Sequence, residues 1–394
     1  EKKKVTEFIR KLQAGTISSD KSIEWVNYYG IKLARTIYIS LLNGSFPKEI
    51  VDFMGLNTEI YGEFTSLDVQ KDIELNLQNS YFYDYQLGDL NLKLKVYSSN
   101  NFKLKNNLLE RMFFLNYLVR QNKIDLTLWL SSKKKTLNYN RKDRYIGPKE
   151  INSGCTTFMG VNKVSIWRKE ELPKVLMHEI FHSVEVEDRH NTSEIENFIY
   201  EHFDIQRKLN KFTVSETYVE TFANILNIFF IIQDTFRYKI KKSLSLKKKR
   251  KKGLRKSLKK GKSIQEEKLE MFFDALRIET FWIMFQAAKV INYFRYSSMD
   301  EFYFSKGISE EEKTKRYIQK SNVFSYLILR SAVFYNLEEF LGICLKYNKS
   351  FVLKNDIPSE VMVNFYRRTF SDINYLNSMN RFKNFIKKLI KKKR

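Results

Sequence analysis

The sequence has few residues that could cross-link it covalently or bind a metal through sulfur. Only two cysteines, Cys155 and Cys344, occur among 394 residues, and no CxxC pair is present. A disulfide framework and a cysteine-built zinc site are therefore not expected, and a reducing compartment fits best. The first residues, EKKKVTEFIRKL, lack the apolar core of a secretory signal. We therefore expect an intracellular protein, cytoplasmic or nuclear, that is not secreted.

Glycine, proline and long apolar runs are also scarce. The chain contains 13 Gly and 4 Pro, which favours a helix-rich protein with few tight hairpins. Its most apolar stretches, residues 222–232 and 281–291, are interrupted by Asn, Gln or Lys. Both are too short to span a bilayer, so we expect core helices and no transmembrane segment.

Acidic residues are absent from two strongly basic segments. Residues 237–262, from Arg237 to Lys262, contain 15 Lys or Arg, and residues 381–394 contain 8. The rest of the chain is close to neutral, because these segments carry nearly all of the net charge of +25. The composition predicts a disordered insert at residues 237–263 and a basic amphipathic tail at residues 381–394. Either segment can attract a polyanion such as nucleic acid, an acidic protein tail or an anionic membrane, although a solvated segment without a partner has the same composition.

The hydrophobic pattern indicates how the chain is organised. We expect five parts: an N-terminal mixed α/β region (1–147), a central region (148–236), the basic insert (237–263), a helical C-terminal part (264–380) and the basic tail (381–394). Alternating apolar residues predict strands at 91–97, 124–130 and 164–167. Helical periodicity predicts helices at 23–42, 104–120, 173–186, 213–232, 264–294, 321–336, 359–369 and 375–392.

One short motif, HEIFH, is typical of a metal site. His178 and His182 are four residues apart on a predicted helix, so both imidazoles can bind one zinc ion. Glu179 is placed to take a proton from a metal-bound water. The chain has only four histidines, so the motif seldom arises by chance. Two partly exposed histidines on an ordinary helix are the alternative interpretation.

A catalytic zinc site needs a third protein ligand and an open position for water. The segment SETYVETFA carries Glu216 and Glu220 one helical turn apart. Glu216 is followed by an acid four residues later, Glu220, and by a small residue three beyond that, Ala223. Glu201, 19 residues after His182, is an alternative ligand, but it is not followed by an acid and a small residue at these spacings. We favour Glu216 because a carboxylate ligand needs its own orienting partners.

HEIFH followed by SETYVETFA resembles the motif arrangement of the gluzincin zinc metallopeptidases, the group that includes thermolysin. The resemblance implies that Glu216 is the third zinc ligand. It also implies that Glu220 orients a ligand histidine through its other ring nitrogen, and that Ala223 lets the two helices pack closely. This chain has Glu220 where thermolysin has Asp, and its segment between the motifs is longer. The spacing of Glu201 resembles that of gluzincin aminopeptidases. Residues 164–183 (VSIWRKEELPKVLMHEIFHS) also loosely resemble uncharacterised zinc-peptidase-like proteins of large DNA viruses.

The resemblance implies a fold class as well. We expect an α+β, mainly helical protein with a zincin-like catalytic core in the central region. A small mixed sheet would contribute an edge strand that precedes the HExxH helix. Residues 164–167 (VSIW) would be that strand, and residues 151–160 would form the lip of a cleft. An extended peptide can pair with such an edge through main-chain hydrogen bonds. An ordinary loop before a buried strand explains the same pattern.

The implied activity is that of a zinc-dependent metallopeptidase, a hydrolase of peptide bonds. His178, His182 and Glu216 would hold Zn²⁺, and Glu179 would act as general base for the attacking water. The alternative is a non-enzymatic basic binding protein on an inactive zincin-like scaffold, with nucleic acid or an acidic protein as its partner.

An oxyanion formed during amide hydrolysis needs a donor besides the metal. All four histidines lie between His178 and His202, so a tyrosine or an arginine is expected. Tyr326 and Tyr296 are candidates among 23 tyrosines, and Tyr326 is preferred.

Overall fold

The computed structural model describes residues 64–87, 90–102, 123–139, 144–157, 163–183, 192–203, 212–249, 264–304, 317–348 and 355–392. It also describes single residues at positions 105, 108, 109, 111, 112, 115, 205, 207 and 210. The helix predicted at residues 23–42 lies outside the described residues, as does most of the helix predicted at 104–120.

The described residues form one mixed five-stranded sheet. Its strands are β1 (Asn79–Leu87), β2 (Leu90–Ser98), β3 (Lys123–Ser131), β4 (Gly154–Thr157) and β5 (Lys163–Arg168). They lie in the order β1-β2-β3-β5-β4. β2, β3 and β5 are parallel, whereas β1 and β4 run antiparallel to their neighbours. Within the described residues, β1 and β4 are therefore the edges of the sheet.

Helices make up most of the remaining described structure. They are α1 (Leu67–Asn76), α2 (Pro148–Ile151), α3 (Leu172–Ser183), α4 (Ser193–Phe203), α5 (Ser215–Lys249), α6 (Ile264–Tyr293), α7 (Met299–Phe304), α8 (Arg330–Tyr335), α9 (Leu337–Tyr347), α10 (Ser359–Ser371) and α11 (Ile373–Lys392). A π-helical stretch, Phe324–Leu329, runs directly into α8. The expectation of a mainly helical α+β protein with a small mixed sheet is confirmed.

Strand β2 shows why the sheet lies against the core with one face. Leu92, Leu94 and Val96 are almost completely buried, and the alternate residues Lys93 and Lys95 are exposed. A shift of one residue in the pairing would exchange these two sets, so the pattern fixes the register. The buried side joins one continuous apolar core that also includes residues of α3, α5, α6, α10 and α11.

Strands β3 and β5 are covered on both faces. Trp129 of β3 and Trp167 of β5 are each 1% exposed and pack with Val69 and Ile73 of α1. These strands are thus internal, and their side chains are fixed by packing on either side.

The prediction that residues 164–167 form the edge strand is wrong. β5, which contains them, pairs with β3 on one side and with β4 on the other. The edge is β4, which lies inside the segment expected to form the lip of a cleft. The misassignment arose because β4 has only four residues and begins with glycine, so it carries no alternating pattern.

The first half of the segment expected to be disordered is helical. Helix α5 continues to Lys249, so the residues from Arg237 onward that were expected to be disordered are helical up to that point. This part of the helix lacks glycine and proline, and lysine has good helix propensity. Phe236 packs in a second apolar cluster with Leu269 and Phe272 of α6, which supports the helix beside the basic residues. Residues 250–263 lie outside the described residues.

Among the helices that the structure describes, none is both long enough and apolar enough to cross a membrane.

A buried arginine holds the segment that leads into β4. Arg168, at the end of β5, is fully buried and donates hydrogen bonds to the main-chain oxygens of Asn152, Lys133 and Lys149 at 2.8–3.0 Å. One side chain thus ties the loop after β3 to the segment that precedes β4.

We expect Arg168→Met to lower the free energy of unfolding by about 2–4 kcal/mol, because three buried carbonyl groups lose a charged donor. Urea denaturation measures this loss. Lys169→Met, which alters the exposed neighbouring residue, is the control and should leave stability unchanged. Equal stability of the two variants would contradict the structural role of Arg168.

Candidate metal centre

Helix α3 carries the HEIFH motif into the interior. The helix starts after Glu171, whose φ of 59° lies in the left-handed region, and its residues from Val175 to Ser183 are buried. His178 and His182 lie one turn apart on the side that faces α5. α3 packs along α5, and Ala223 of α5 is completely buried, as expected of a small residue between close helices.

Three side chains from these helices converge on one point. Nε2 of His178 lies 3.0 Å from Nε2 of His182, and Oε2 of Glu216 lies 3.3 Å and 3.0 Å from these two atoms. All three residues are buried. Around a tetrahedral zinc ion with bonds of about 2.0–2.1 Å, ligand atoms lie roughly 3.3–3.4 Å apart. The triangle therefore has nearly the dimensions of a zinc site and could hold a metal ion.

Hydrogen bonds alone describe this triangle poorly. One proton bridges one pair of atoms, and the triangle has three sides of similar length. A single cation at the centre could contact all three atoms. The donor set of two imidazoles and one carboxylate is also one that zinc accepts.

The alternative ligand Glu201 does not join this cluster. It is exposed on α4, whereas the cluster is buried, and the group that the structure brings together is His178, His182 and Glu216. His202, on the same helix as Glu201, stacks on Phe198 with a centroid distance of 5.0 Å.

Glu220 lies behind the first histidine. Its Oε2 atom is 2.9 Å from Nδ1 of His178, an ion-pair distance without the alignment of a good hydrogen bond. Its Oε1 atom accepts hydrogen bonds from Lys174 and Arg330. The carboxylate is thus held by two cations beside the ring nitrogen that would not face a metal, the position that the resemblance implied for it.

A third helical segment closes the site. Asn322 donates a hydrogen bond to Oε1 of Glu216 at 3.2 Å, Tyr326 lies 5.8 Å from His178 between ring centroids, and Arg330 reaches Glu220. These three residues are spaced by four, and Tyr326 lies within the π-helical stretch. Stretches of this kind occur often at functional sites. Tyr326, the tyrosine preferred from the sequence, therefore lies beside the ligand cluster. Tyr296 packs on Phe302 elsewhere in the core.

Sequence reasoning missed Asn322, Lys174 and Arg330. Asn322 and Arg330 share the four-residue spacing of Tyr326, but a spacing on one helix does not reveal which helix it faces. Lys174 precedes His178 by four residues and was visible as part of the same predicted helix. Its partner Glu220 could have been suggested by charge complementarity.

Glu179 interacts electrostatically with both histidines of the triangle, and its side chain contacts strand β4. The hydroxyl of Thr156 lies 2.9 Å from both Oε2 and the main-chain oxygen of Glu179, and donates to one of them. Gly154 lies under the same carboxylate, because a Cβ atom there would be 2.7 Å from Oε1 of Glu179. The edge strand therefore positions Glu179 through one small residue and one hydroxyl.

The buried charges shift the pKa values of the site strongly. Burial and the neighbouring His182 lower the pKa of His178, but the carboxylates of Glu216 and Glu220 outweigh them and raise it to about 9. Burial would raise the pKa of Glu216, but the two histidines lower it below its ordinary value. The pKa of Glu220 is lowered well below its ordinary value despite burial, because Lys174 and Arg330 flank it.

Glu179 and Tyr326 shift in the opposite direction. Burial raises the pKa of Glu179 above its ordinary value, against the opposing effect of the two histidines and Thr156. Burial also raises the pKa of Tyr326 well above its ordinary value, and the nearby carboxylates add to this shift. The phenol therefore remains a hydrogen-bond donor.

A large cleft opens onto these residues. Its volume is about 1150 Å³, and its walls include β4, the ends of α3 and α5, and the face of α6 that carries Trp282 and Lys289. The cluster and Glu179 line it together with Tyr326. Gly154, Cys155 and Thr156 of β4 line this space, and within the described residues β4 is an edge of the sheet.

Comparison of the chain with protein-family models, curated protein sequences and solved structures gives no match.

We expect Gly154→Ala to lower the free energy of unfolding by about 1–3 kcal/mol, because the new methyl group overlaps the buried carboxylate of Glu179. Urea denaturation measures the change. Gly342→Ala is a matched control, because a Cβ atom there meets nothing within 4 Å and the residue lies in α9. It should stabilise the protein by up to about 1 kcal/mol. Similar effects of the two substitutions would contradict the close approach at Gly154.

Proposed function

We propose that this protein is a zinc-dependent metallopeptidase with a gluzincin-like, zincin-type core. The observation that carries the proposal is the convergence of His178, His182 and Glu216 from two helices on one buried point beside a cleft. The position of Glu220 beside His178 adds support, because ligand histidines are commonly oriented by a carboxylate at the other ring nitrogen. A zinc ion bound there supplies a Lewis acid and lowers the pKa of a coordinated water towards neutrality.

Glu179 is the proposed general base. It borders the same cleft as the metal cluster, and its carboxylate is held by Thr156 on the β4 side. In amide hydrolysis it accepts the proton of the attacking water and delivers it to the leaving amine. Glu179 thus acts first as the base and then as the acid, so no further acid is required.

Strand β4 is the proposed docking edge for the peptide. Its inner side pairs with β5, and its outer side borders the cleft next to Glu179. An extended substrate that adds to this edge would have its main chain fixed by hydrogen bonds, and its side chains would lie in the cleft. The scissile carbonyl would then lie near Tyr326, whose hydroxyl is the proposed donor to the oxyanion.

The proposed partners rest on charge, and the proposed location rests on cysteine usage. The basic segments from Arg237 to Lys262 and from Arg381 to Arg394 would attract a polyanion, and the cysteine usage favours an intracellular location. The competing function, a basic binding protein on an inactive scaffold, needs no metal. Metal content therefore separates the two functions.

The purified chain should contain about one zinc per molecule, and His182→Ala should weaken zinc binding by more than about a hundredfold. His202→Ala removes a histidine outside the cluster and is the matched control. Zinc content by mass spectrometry and competition with a chelating dye give the stoichiometry and the affinity. Equal zinc binding by the two variants, or no zinc in the native chain, would favour the non-enzymatic function.

Glu179→Gln should retain zinc and lower kcat for cleavage of a fluorogenic peptide mixture by about 10²–10⁴-fold, because the general base is lost. The same zinc assay verifies that the site is intact. Undiminished cleavage by this variant would exclude Glu179 as the base.

Tyr326→Phe should lower kcat by about 10²–10³-fold and leave KM and zinc content nearly unchanged, because a donor to the oxyanion acts mainly in the transition state. Tyr296→Phe removes a hydroxyl from the core away from the cleft and should keep kcat. If both variants keep full activity, another group stabilises the oxyanion.

A further inference from the structure

Helices α6 and α11 form an unusual aromatic surface. It consists of Phe281, Trp282 and Phe285 on α6 and of Phe382 and Phe385 on α11, here called the α6–α11 aromatic cluster. Neighbouring rings in the cluster have centroid distances of 5.7–6.4 Å. The five rings therefore form one continuous patch.

Much of this patch faces solvent. Phe281 is 62% exposed, Trp282 52% and Phe385 52%, and Ile278, one turn before Trp282 on α6, is 69% exposed. Single exposed apolar residues are ordinary, but a contiguous group of large ones indicates an interaction surface. Phe285 and Phe382 are partly buried between the two helices, and α11 is also anchored by buried residues such as Tyr375 and Met379, so the exposed rings of Phe281, Trp282 and Phe385 are not needed to hold it.

The surroundings of the patch are basic. Arg381 and Lys388 lie one turn before and one turn after Phe385 on α11 and are exposed, and residues 381–394 contain no acid. The nearest acid on α6 is Glu279, which is half-buried and interacts with Arg330 and Lys174, and Asp274 is paired with Arg277 at 3.4 Å. An apolar patch beside these two basic side chains attracts a partner that is both apolar and anionic.

We propose that the α6–α11 aromatic cluster, with Arg381 and Lys388 of α11, docks this protein on a membrane surface rich in anionic lipid. Phenylalanine, tryptophan and isoleucine side chains enter the boundary between headgroups and acyl chains, while the basic side chains at the rim contact anionic headgroups. A nucleic acid would stack on the rings but would leave Ile278 without an apolar partner. Docking would be peripheral. Because Trp282 also lines the cleft, one wall of the cleft would lie close to the lipid. The proposal is independent of zinc and of peptidase activity.

Co-sedimentation of the full chain with vesicles tests this docking. The chain should bind vesicles of phosphatidylcholine with phosphatidylserine and should bind pure phosphatidylcholine weakly. The combined substitution of Phe281, Trp282 and Phe385 by serine should lower the partition coefficient more than about tenfold. Leu67→Ser with Leu75→Ser is the matched control, since both residues are exposed apolar positions on α1. It should bind as the native chain does.

The charge requirement is tested separately. Arg381→Glu with Lys388→Glu should weaken binding to the anionic vesicles by about fivefold or more per residue. Lys93→Glu with Lys95→Glu, at exposed positions of β2, is the control for net charge. Thermal unfolding and circular dichroism show whether each variant is folded, and these exposed substitutions should preserve the fold.

Three outcomes would overturn the proposal. The first is no binding to anionic vesicles by the native chain. The second is unchanged binding by the aromatic variant, which would leave only charge attraction. The third is tight binding of a single-stranded oligonucleotide that needs the same aromatic residues while vesicles are not bound, which would assign the surface to nucleic acid.

Discussion

The buried carboxylates of helix α5 are the constraint on which the site depends. An ionised carboxylate inside a protein needs a positive partner, because the loss of water is otherwise too costly. Glu220 has two permanent cations, Lys174 and Arg330. Among the described residues, Glu216, one turn earlier, contacts the two imidazoles and the amide of Asn322 and interacts with the phenol of Tyr326, none of which is a permanent cation. Its charge is therefore balanced either by protons on the histidines or by a metal ion, and the triangle of ligand atoms suits the ion.

The same pairing explains why three separate segments meet. Lys174 lies on α3, Glu220 on α5 and Arg330 at the start of α8, so the ion pairs tie three helices together around His178. Removing one cation would leave a buried charge partly unopposed, which is more harmful than removing the whole network. The long arm of glutamate is useful here, because its two oxygens serve the cations on one side and the histidine on the other.

The sequence predicted the parts of the site that are local. His178, Glu179 and His182 follow from a helical spacing, and Glu216 and Glu220 follow from a second one. The contacts of Asn322 and Arg330 join residues more than 100 positions apart, and no local pattern encodes such pairs. Tyr326 was chosen from many tyrosines as the candidate donor to the oxyanion, and only the fold distinguishes its position from that of Tyr296.

The sheet shows the same limit. The internal strands β2, β3 and β5 were predicted from their apolar pattern, because each buries several residues. Strand β4 was not, although it borders the cleft, since its position depends on Gly154 and Thr156 meeting Glu179. Gly154 is small and Thr156 carries a hydroxyl because both contact Glu179, which belongs to helix α3. An edge strand at a functional site is therefore the element that sequence periodicity identifies least well.

Helix α6 connects the two surfaces considered for this protein. Its inner face includes Ala287 and Ala288, which are completely buried, and it packs against both α8 and the π-helical stretch that carries Tyr326. Its outer face carries the aromatic cluster. Small buried residues allow close packing, and a close-packed interior resists deformation. A partner bound at the outer face would therefore orient the cleft relative to that partner rather than change its shape. Because Trp282 belongs to both the patch and the cleft wall, that wall of the cleft would lie next to whatever the patch contacts.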